Sequence, residues 1–183
     1  MIFSKFLPLS CKMFVKIPTN PSITKQYFNT DRAYMIANTK EMWPVFMEWY
    51  SNNKNIKNPV DTFVEQKLPK EDIYYSHLRY DGQYLPFQKI ASMTFEPYSH
   101  LSLHPIYGPW LSLRAIVLGD TVQPIPMVKL TSDQRDSLHR ISLEPFLWGN
   151  HAKIRKLLGV YCEATKYEFT EQQMQYHYNR VFI

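Results

Sequence analysis

The sequence predicts an α+β fold. Three observations lead there: helical and strand patterns follow one another in mixed order, the tight-turn dipeptide Asp81-Gly82 separates two runs rich in aromatics, and Leu111 to Leu118 (LSLRAIVL) alternates as a strand. The 183 residues come close to one ordinary domain, and 45% apolar residues, with 11 Phe, 13 Tyr and 4 Trp, can build its core. The reading is one α+β domain over residues 31–183, preceded by an irregular arm over residues 1–30. That arm holds Lys5, Lys12, Lys16 and Lys25 and no acid. Pro8, Pro18 and Pro21 would break an amphipathic helix, so it reads as chain lying on the fold and not as a targeting segment.

Ala33 to Ala37 is a short apolar strand, after which Asn38 or Thr39 can cap a helix over Glu41 to Tyr50, with Met42, Phe46 and Trp49 at helical spacing. Pro44 is tolerable there only in the first turn or at a kink. Pro59 to Leu68 begins with proline and Asp61 and predicts a second helix burying Val60, Phe63, Val64 and Leu68. Ile73 to Tyr80 predicts a strand, Asp81-Gly82 a hairpin, and Tyr84 to Phe95 the return strand, bulged near Pro86. Strict alternation over Leu111 to Leu118 sets Leu111, Leu113, Ala115 and Val117 on one face, and Ser112, Arg114, Ile116 and Leu118 on the other. Thr131 with Gln134 is spaced as a capping box and opens a helix over Ser132 to Ile141. Asn150 to Leu158 predicts a helix closed by Gly159. Thr170 with Gln173, and Phe169 with Met174 as a hydrophobic staple, start a last helix running to about Asn179.

Several chemistries are excluded at motif level. The five glycines lie too far apart for a dinucleotide or P-loop cradle, and no G-x-S-x-G, H-E-x-x-H or C-x-x-C occurs. Cys11 and Cys162 allow no disulfide framework, which fits a reducing, cytoplasmic setting. No run reaches the ~18 apolar residues of a membrane span. His100 and His104 straddle a strand start without a carboxylate at ligand spacing and read as ordinary polar or core histidines, so no metal site is expected. Cys162 reads as a small buried apolar residue. His151, Lys153, Arg155 and Lys156 read as a solvated helix face, because the net charge of +5 is concentrated in the arm and the body has little charge to attract nucleic acid. Arg114 stands apart: a guanidinium on an aliphatic strand needs a carboxylate, a phosphate or water. Either it pairs internally with an acid such as Glu144 or Glu163, or it recognises a ligand.

The run Leu103-His104-Pro105-Ile106-Tyr107-Gly108-Pro109-Trp110 followed by Leu111 to Leu118 resembles a segment of the cobalamin-processing CblC (MMACHC) family: His-Pro, an aromatic-Gly-x-Trp, then an arginine in an apolar strand. Asn58-Pro59-Val60-Asp61 is similar to that family's P-V-D helix start, and Phe169-Thr170-Glu171-Gln172-Gln173 to its aromatic-S-E-E-Q helix, in the same order. Two departures are visible: only Glu96 to Ser102 stands where the family has a longer tyrosine-rich segment, and His100 replaces a glycine.

The resemblance implies a flavin-reductase-like, nitroreductase-related fold, an antiparallel sheet flanked by helices. It implies a protein that binds cobalamin with the lower base displaced and removes the upper axial ligand. Cyanide would leave reductively with reduced flavin (FMN or FAD), and alkyl groups by transfer to glutathione. Cobalamin-binding positions would fall on His104, Tyr107, Gly108, Trp110 and Ser112, and glutathione-binding ones on Arg114, with Arg155 a counterpart of a second arginine. Tyr107, Gly108 and Trp110 sit on a Pro- and Gly-punctuated turn, which allows a pocket wall; the core is the alternative. The implied partners are cobalamin, glutathione and a cobalamin-trafficking protein, with the chain a monomer or weak homodimer. A non-catalytic carrier or adaptor, and a binder of another flat cofactor such as flavin or haem, are the other readings.

Overall fold

The computed structural model describes residues 13–68, 72–144 and 148–179. Its centre is a four-stranded antiparallel sheet in the order β1-β2-β8-β3, made of β1 (Phe14–Pro18), β2 (Ala33–Asn38), β8 (Ser112–Leu118) and β3 (Ile73–Tyr75). Every residue of β2 is buried, because the sheet is covered on both faces. Ala33, Met35 and Ala37 enter one core with Ile17, Ile90, Met93 and Ile116, while Tyr34 and Ile36 enter a second with Phe46, Phe63, Val64 and Ala115. Helices α2 (Met42–Ser51) and α3 (Pro59–Lys67) supply that second core. Both were legible, but the expected cap at Asn38 or Thr39 does not form: Glu41 stands at the N-cap of α2 without a side-chain cap bond, and the Thr39 hydroxyl accepts from the Glu41 amide at 3.2 Å in the turn before the helix.

The expected irregular arm is regular over much of its length. Phe14–Pro18 is the edge strand β1, and α1 (Pro21–Phe28) follows, capped by Asn20, whose side chain accepts from the Ile23 amide, with Pro21 in the first turn. Residues 1–12 lie outside the described residues.

The hairpin forms as predicted at its tip, where Asp81 and Gly82 take φ of 50° and 79° between β4 (Arg79–Tyr80) and β5 (Gln83–Tyr84). The long strands around it do not form. Pro86 lacks the amide a ladder needs and instead opens the short helix α4 (Phe87–Ile90), after which β6 (Thr94–Glu96) pairs with β7 (Leu101–Leu103).

The strict alternation read along β8 is broken by one extra residue. Ile36 faces Ala115, yet the next β2 residue, Ala37, faces Leu113, so Arg114 is bulged out of register. Leu113 and Leu111 therefore share a core with Ile116 and Leu118, while Ala115 and Val117 face the other. Helices α5 (Ser132–Ser142), α6 (Trp148–Tyr161) and α7 (Glu171–Asn179) complete the fold. The Thr131–Gln134 box closes in both directions. Gly159 does not end α6. The helix continues to Tyr161 and stops with Glu163 at φ 53°, where the Ala164 and Glu163 amides return to the carbonyls of Gly159 and Val160. Gly159 is needed for another reason: a Cβ there would lie 2.6 Å from Trp110 Nε1.

Candidate functional site

The bulge at Arg114 opens the sheet toward a cavity of about 360 Å³ between the start of β8, the first turns of α2 and α3, and the facing sides of α6 and α7. Its apolar wall includes Met42, Trp43, Phe87, Met93, Leu111 and Leu113; its polar groups are Asp61, Gln88, Ser102, Ser112, Arg114, Arg155, Gln173, Tyr176 and His177. The wall is about equally polar and apolar, and the volume lies at the small end of the ~300–1,000 Å³ range of small-molecule sites.

Arg114 is held from two sides. Its Nε donates to Asn38 Oδ1 at 2.6 Å, and Nη1 lies 3.5 Å from Asp61 Oδ1. The internal acid is thus Asp61, at the start of α3, and not Glu144 or Glu163: Glu144 faces Lys153 across 3.9 Å. Asp61 in turn lies 3.7 Å from His77 Nδ1, whose Nε2 meets Glu65 at 2.6 Å, so a chain of polar contacts runs from the surface to the cavity. Ser112 lines the cavity beside Arg114, although the bulge breaks the alternation that set them on one face.

Arg155 lies on α6, is 1% exposed, and is not part of a solvated face. Nε and Nη2 donate to the carbonyl of Pro109 at 3.0 and 2.7 Å, Nη2 also to that of Leu111 at 3.0 Å, and Nη1 reaches His177 Nε2 at 3.2 Å and Tyr178 Oη at 3.5 Å. All five guanidinium N–H groups are directed at protein acceptors, and the plane lies against the Phe169 and Trp110 rings. Burial pulls its pKa down, opposed by the Tyr178 hydroxyl. Arg155 therefore ties β8, α6 and α7 together and forms the cavity wall.

The turn before β8 sits apart from the cavity. Trp110 is fully buried, packed edge-on against Phe169 and under Gly159, which is the core alternative and not a pocket wall. Tyr107 is buried against Tyr167; Gly108 takes φ 54°, and a Cβ there would meet Ala164 at 2.8 Å, so both its conformation and its surroundings require glycine. His104 is buried with Nδ1 accepting from the amides of Ile106 and Tyr107, and burial pulls its pKa down to about 4. Among the described residues these four do not line the cavity. Cys162 is half-buried, and burial pushes its thiol up to about 11. No group of three or more metal-ligating side chains occurs among the described residues, and no described helix is long and apolar enough to cross a membrane.

Sequence reasoning missed Asp61, Asn38 and Gln173 as site residues, because each also serves a local role. Gln173 was read as half of a capping box, and its amide does donate to Thr170 Oγ1 at 3.2 Å. Its side chain does not return to the cap: Oε1 is buried without a hydrogen-bond partner, as is Ser102 Oγ, and both residues contribute to the cavity wall.

No protein-family model matches this chain, and no curated protein matches it in sequence. Among solved structures it is similar to a B12-trafficking CblC protein of C. elegans, described as a homologue of human MMACHC, with 15% identity and a TM-score of 0.52. The match spans 90% of this chain and 84% of that one. The fold is CblC-like. The turn and strand that carry the sequence resemblance form one side of this architecture, with β8 in the central sheet and Arg114 at its bulge.

Proposed function

We propose that this protein binds cobalamin at the cavity beside β8 and removes its upper axial ligand, with glutathione accepting alkyl groups. The observation that carries the reading is Arg114: the bulge turns its guanidinium to the cavity wall, beside Ser112, in a fold similar to that of a B12-trafficking protein. A planar fork can hold a carboxylate of glutathione through two parallel hydrogen bonds. The donor set suits such ligands. Uncharged polar residues of the wall (Gln88, Ser102, Ser112 and Gln173) match the uncharged amides on the corrin rim, and the apolar residues match its flat face. The cavity's size fits a tripeptide or one edge of a corrin, so most of the cofactor would lie outside it.

In dealkylation glutathione, held by Arg114, would take the alkyl group as a thioether while the electron pair of the carbon–cobalt bond stays on the metal; in decyanation reduced flavin would supply the electron with which cyanide leaves. This chain's part is to fix the tripeptide, since misplacement by ~1 Å can cost a hundredfold. Among the described residues, the histidine that lines the cavity is His177, and its Nε2 faces Arg155 at 3.2 Å.

A carrier that binds without turnover is the second reading, and the carboxylate of Asp61 favours it, because it already stands 3.5 Å from Arg114 where a glutathione carboxylate would compete. Absorbance titration with hydroxocobalamin, methylcobalamin, FMN and haem tests both. Displacement of the lower base shifts the cobalt bands of the cobalamins on binding. Spectra unchanged at protein excess overturn the cobalamin reading, and a response to FMN or haem alone redirects it to another flat cofactor. Shifted bands with methylcobalamin left intact by added glutathione select the carrier.

A further inference from the structure

We infer that His77 controls, through Asp61, how readily Arg114 exchanges its internal carboxylate for that of a ligand, an assignment that rests on the reading of Arg114 as the glutathione anchor. One oxygen is shared: Asp61 Oδ1 lies 3.5 Å from Arg114 Nη1 and 3.7 Å from His77 Nδ1. On its other side the same imidazole meets Glu65 Oε1 through Nε2 at 2.6 Å. Asp61 and Glu65 are one turn apart on α3 and so meet the ring together. His77 stands in the turn between β3 and β4, and the Ser76 amide donates to the Arg114 carbonyl at 2.9 Å, which fixes that turn against β8. The other charged or titratable groups about His77, among the described residues, are Tyr75 of β3, whose ring lies against it, Tyr80 of β4, whose hydroxyl accepts from the Tyr75 amide, and Arg114 beyond Asp61. Asp61 and Arg114 border the cavity, and the side chains of all four members of the relay are 19–42% exposed.

A carboxylate only accepts, so in the neutral ring the proton sits on Nε2, toward Glu65, and Nδ1 presents a lone pair to Asp61. Two acceptors do not bond, and Asp61 then has Arg114 as its counter-ion. Protonation puts an N–H on Nδ1 and a positive charge beside Asp61. The carboxylate is now shared between two cations, holds Arg114 less strongly and repels an incoming carboxylate less. Histidine is the side chain that changes charge between about pH 5 and 8. A ligand carboxylate therefore replaces Asp61 at Arg114 more readily as the pH falls through that range. His77 touches no ligand in this arrangement and is a positioning residue.

The probe is S-methylglutathione, whose carboxylates and ammonium keep their charge between about pH 5.5 and 7.5 and which has no thiol to titrate. Calorimetric titration of the wild type should show affinity rising roughly three- to fivefold from the upper to the lower of these pH values, the size of a partly exposed ion pair. His77→Gln should bind with the weaker affinity at both pH values, and Asp61→Asn with the stronger at both. A wild type without pH dependence overturns the inference. A dependence that persists in His77→Gln belongs to another group, such as His177 at the cavity, and overturns it as well; one that persists in Asp61→Asn shows an imidazolium acting on the ligand directly and not through Asp61. If S-methylglutathione binds at no pH, the anchor reading falls and this assignment with it, so the two failures are distinguishable. A second readout needs no variant. Because linkage is reciprocal, saturating S-methylglutathione should raise the midpoint of the His77 ring-proton titration, followed by NMR, by roughly 0.5–0.7 pH unit, and an unmoved midpoint overturns the inference.

Discussion

Arg114→Lys separates a structural guanidinium from a ligand anchor, because the structure gives it a role of each kind. Lysine keeps the charge and loses the Nε–H that meets Asn38 Oδ1 at 2.6 Å. Asn38 is fully buried, so its oxygen is then left without that donor, at about 1–3 kcal/mol. The contact with Asp61 is 3.5 Å long between side chains 19% and 26% exposed, and its loss adds less than about 1 kcal/mol. A total near 2 kcal/mol corresponds to a melting point lowered by roughly 4–8 °C for a domain of this size, read by circular dichroism without ligand. If Arg114 also anchors glutathione, the same change should raise the glutathione concentration for half-maximal dealkylation of methylcobalamin roughly thirtyfold. Asp61→Asn supplies the opposite sign, since removing the competing carboxylate should lower that concentration while costing less than about 1 kcal/mol of stability. An unmoved melting point in Arg114→Lys refutes the pairing with Asn38. A lowered melting point with unaltered glutathione dependence refutes the anchor.

Two further predictions concern the frame of the site. Gly159→Ala would ordinarily stabilise a helix by about 1 kcal/mol, but here the new methyl meets Trp110 at 2.6 Å inside a fully buried contact, so thermal unfolding should show a net loss of about 1–2 kcal/mol, relieved in part by Trp110→Phe; a stabilised variant refutes the packing of α6 on Trp110. His104 is kept neutral by burial, with a folded pKa of about 4 below its ordinary 6.5. Its stabilising contribution is therefore full above pH 6.5 and is lost as pH falls toward 4, on the order of 3 kcal/mol, because a protonated Nδ1 cannot accept from Ile106 and Tyr107. Melting temperature against pH should fall less steeply over that window in His104→Asn, which keeps an acceptor and does not titrate.

What the sequence determined by itself is local. The strand at Ala33, the α2, α3, α5 and α7 helices and the Asp81-Gly82 turn were legible because their signals, caps, apolar spacing and tolerance of positive φ, act within about four residues. The β1 strand and α1 helix carried the same kind of signal in Asn20-Pro21 and the apolar run before it, and were obscured by the surrounding lysines and prolines. Arg114 was also legible as a residue in need of a partner. Which partner it takes was not, since Asp61 and Asn38 come from α3 and β2 and meet it only when the sheet closes. Tertiary structure also decided the faces of β8: pairing with β2 inserts one bulged residue, and because side chains alternate with period two, that residue exchanges the face of everything before it. The same closure buried Trp110 beneath a glycine 49 positions away and set Arg155 and Gln173 in the cavity wall, each the outcome of packing between elements that no local spacing encodes.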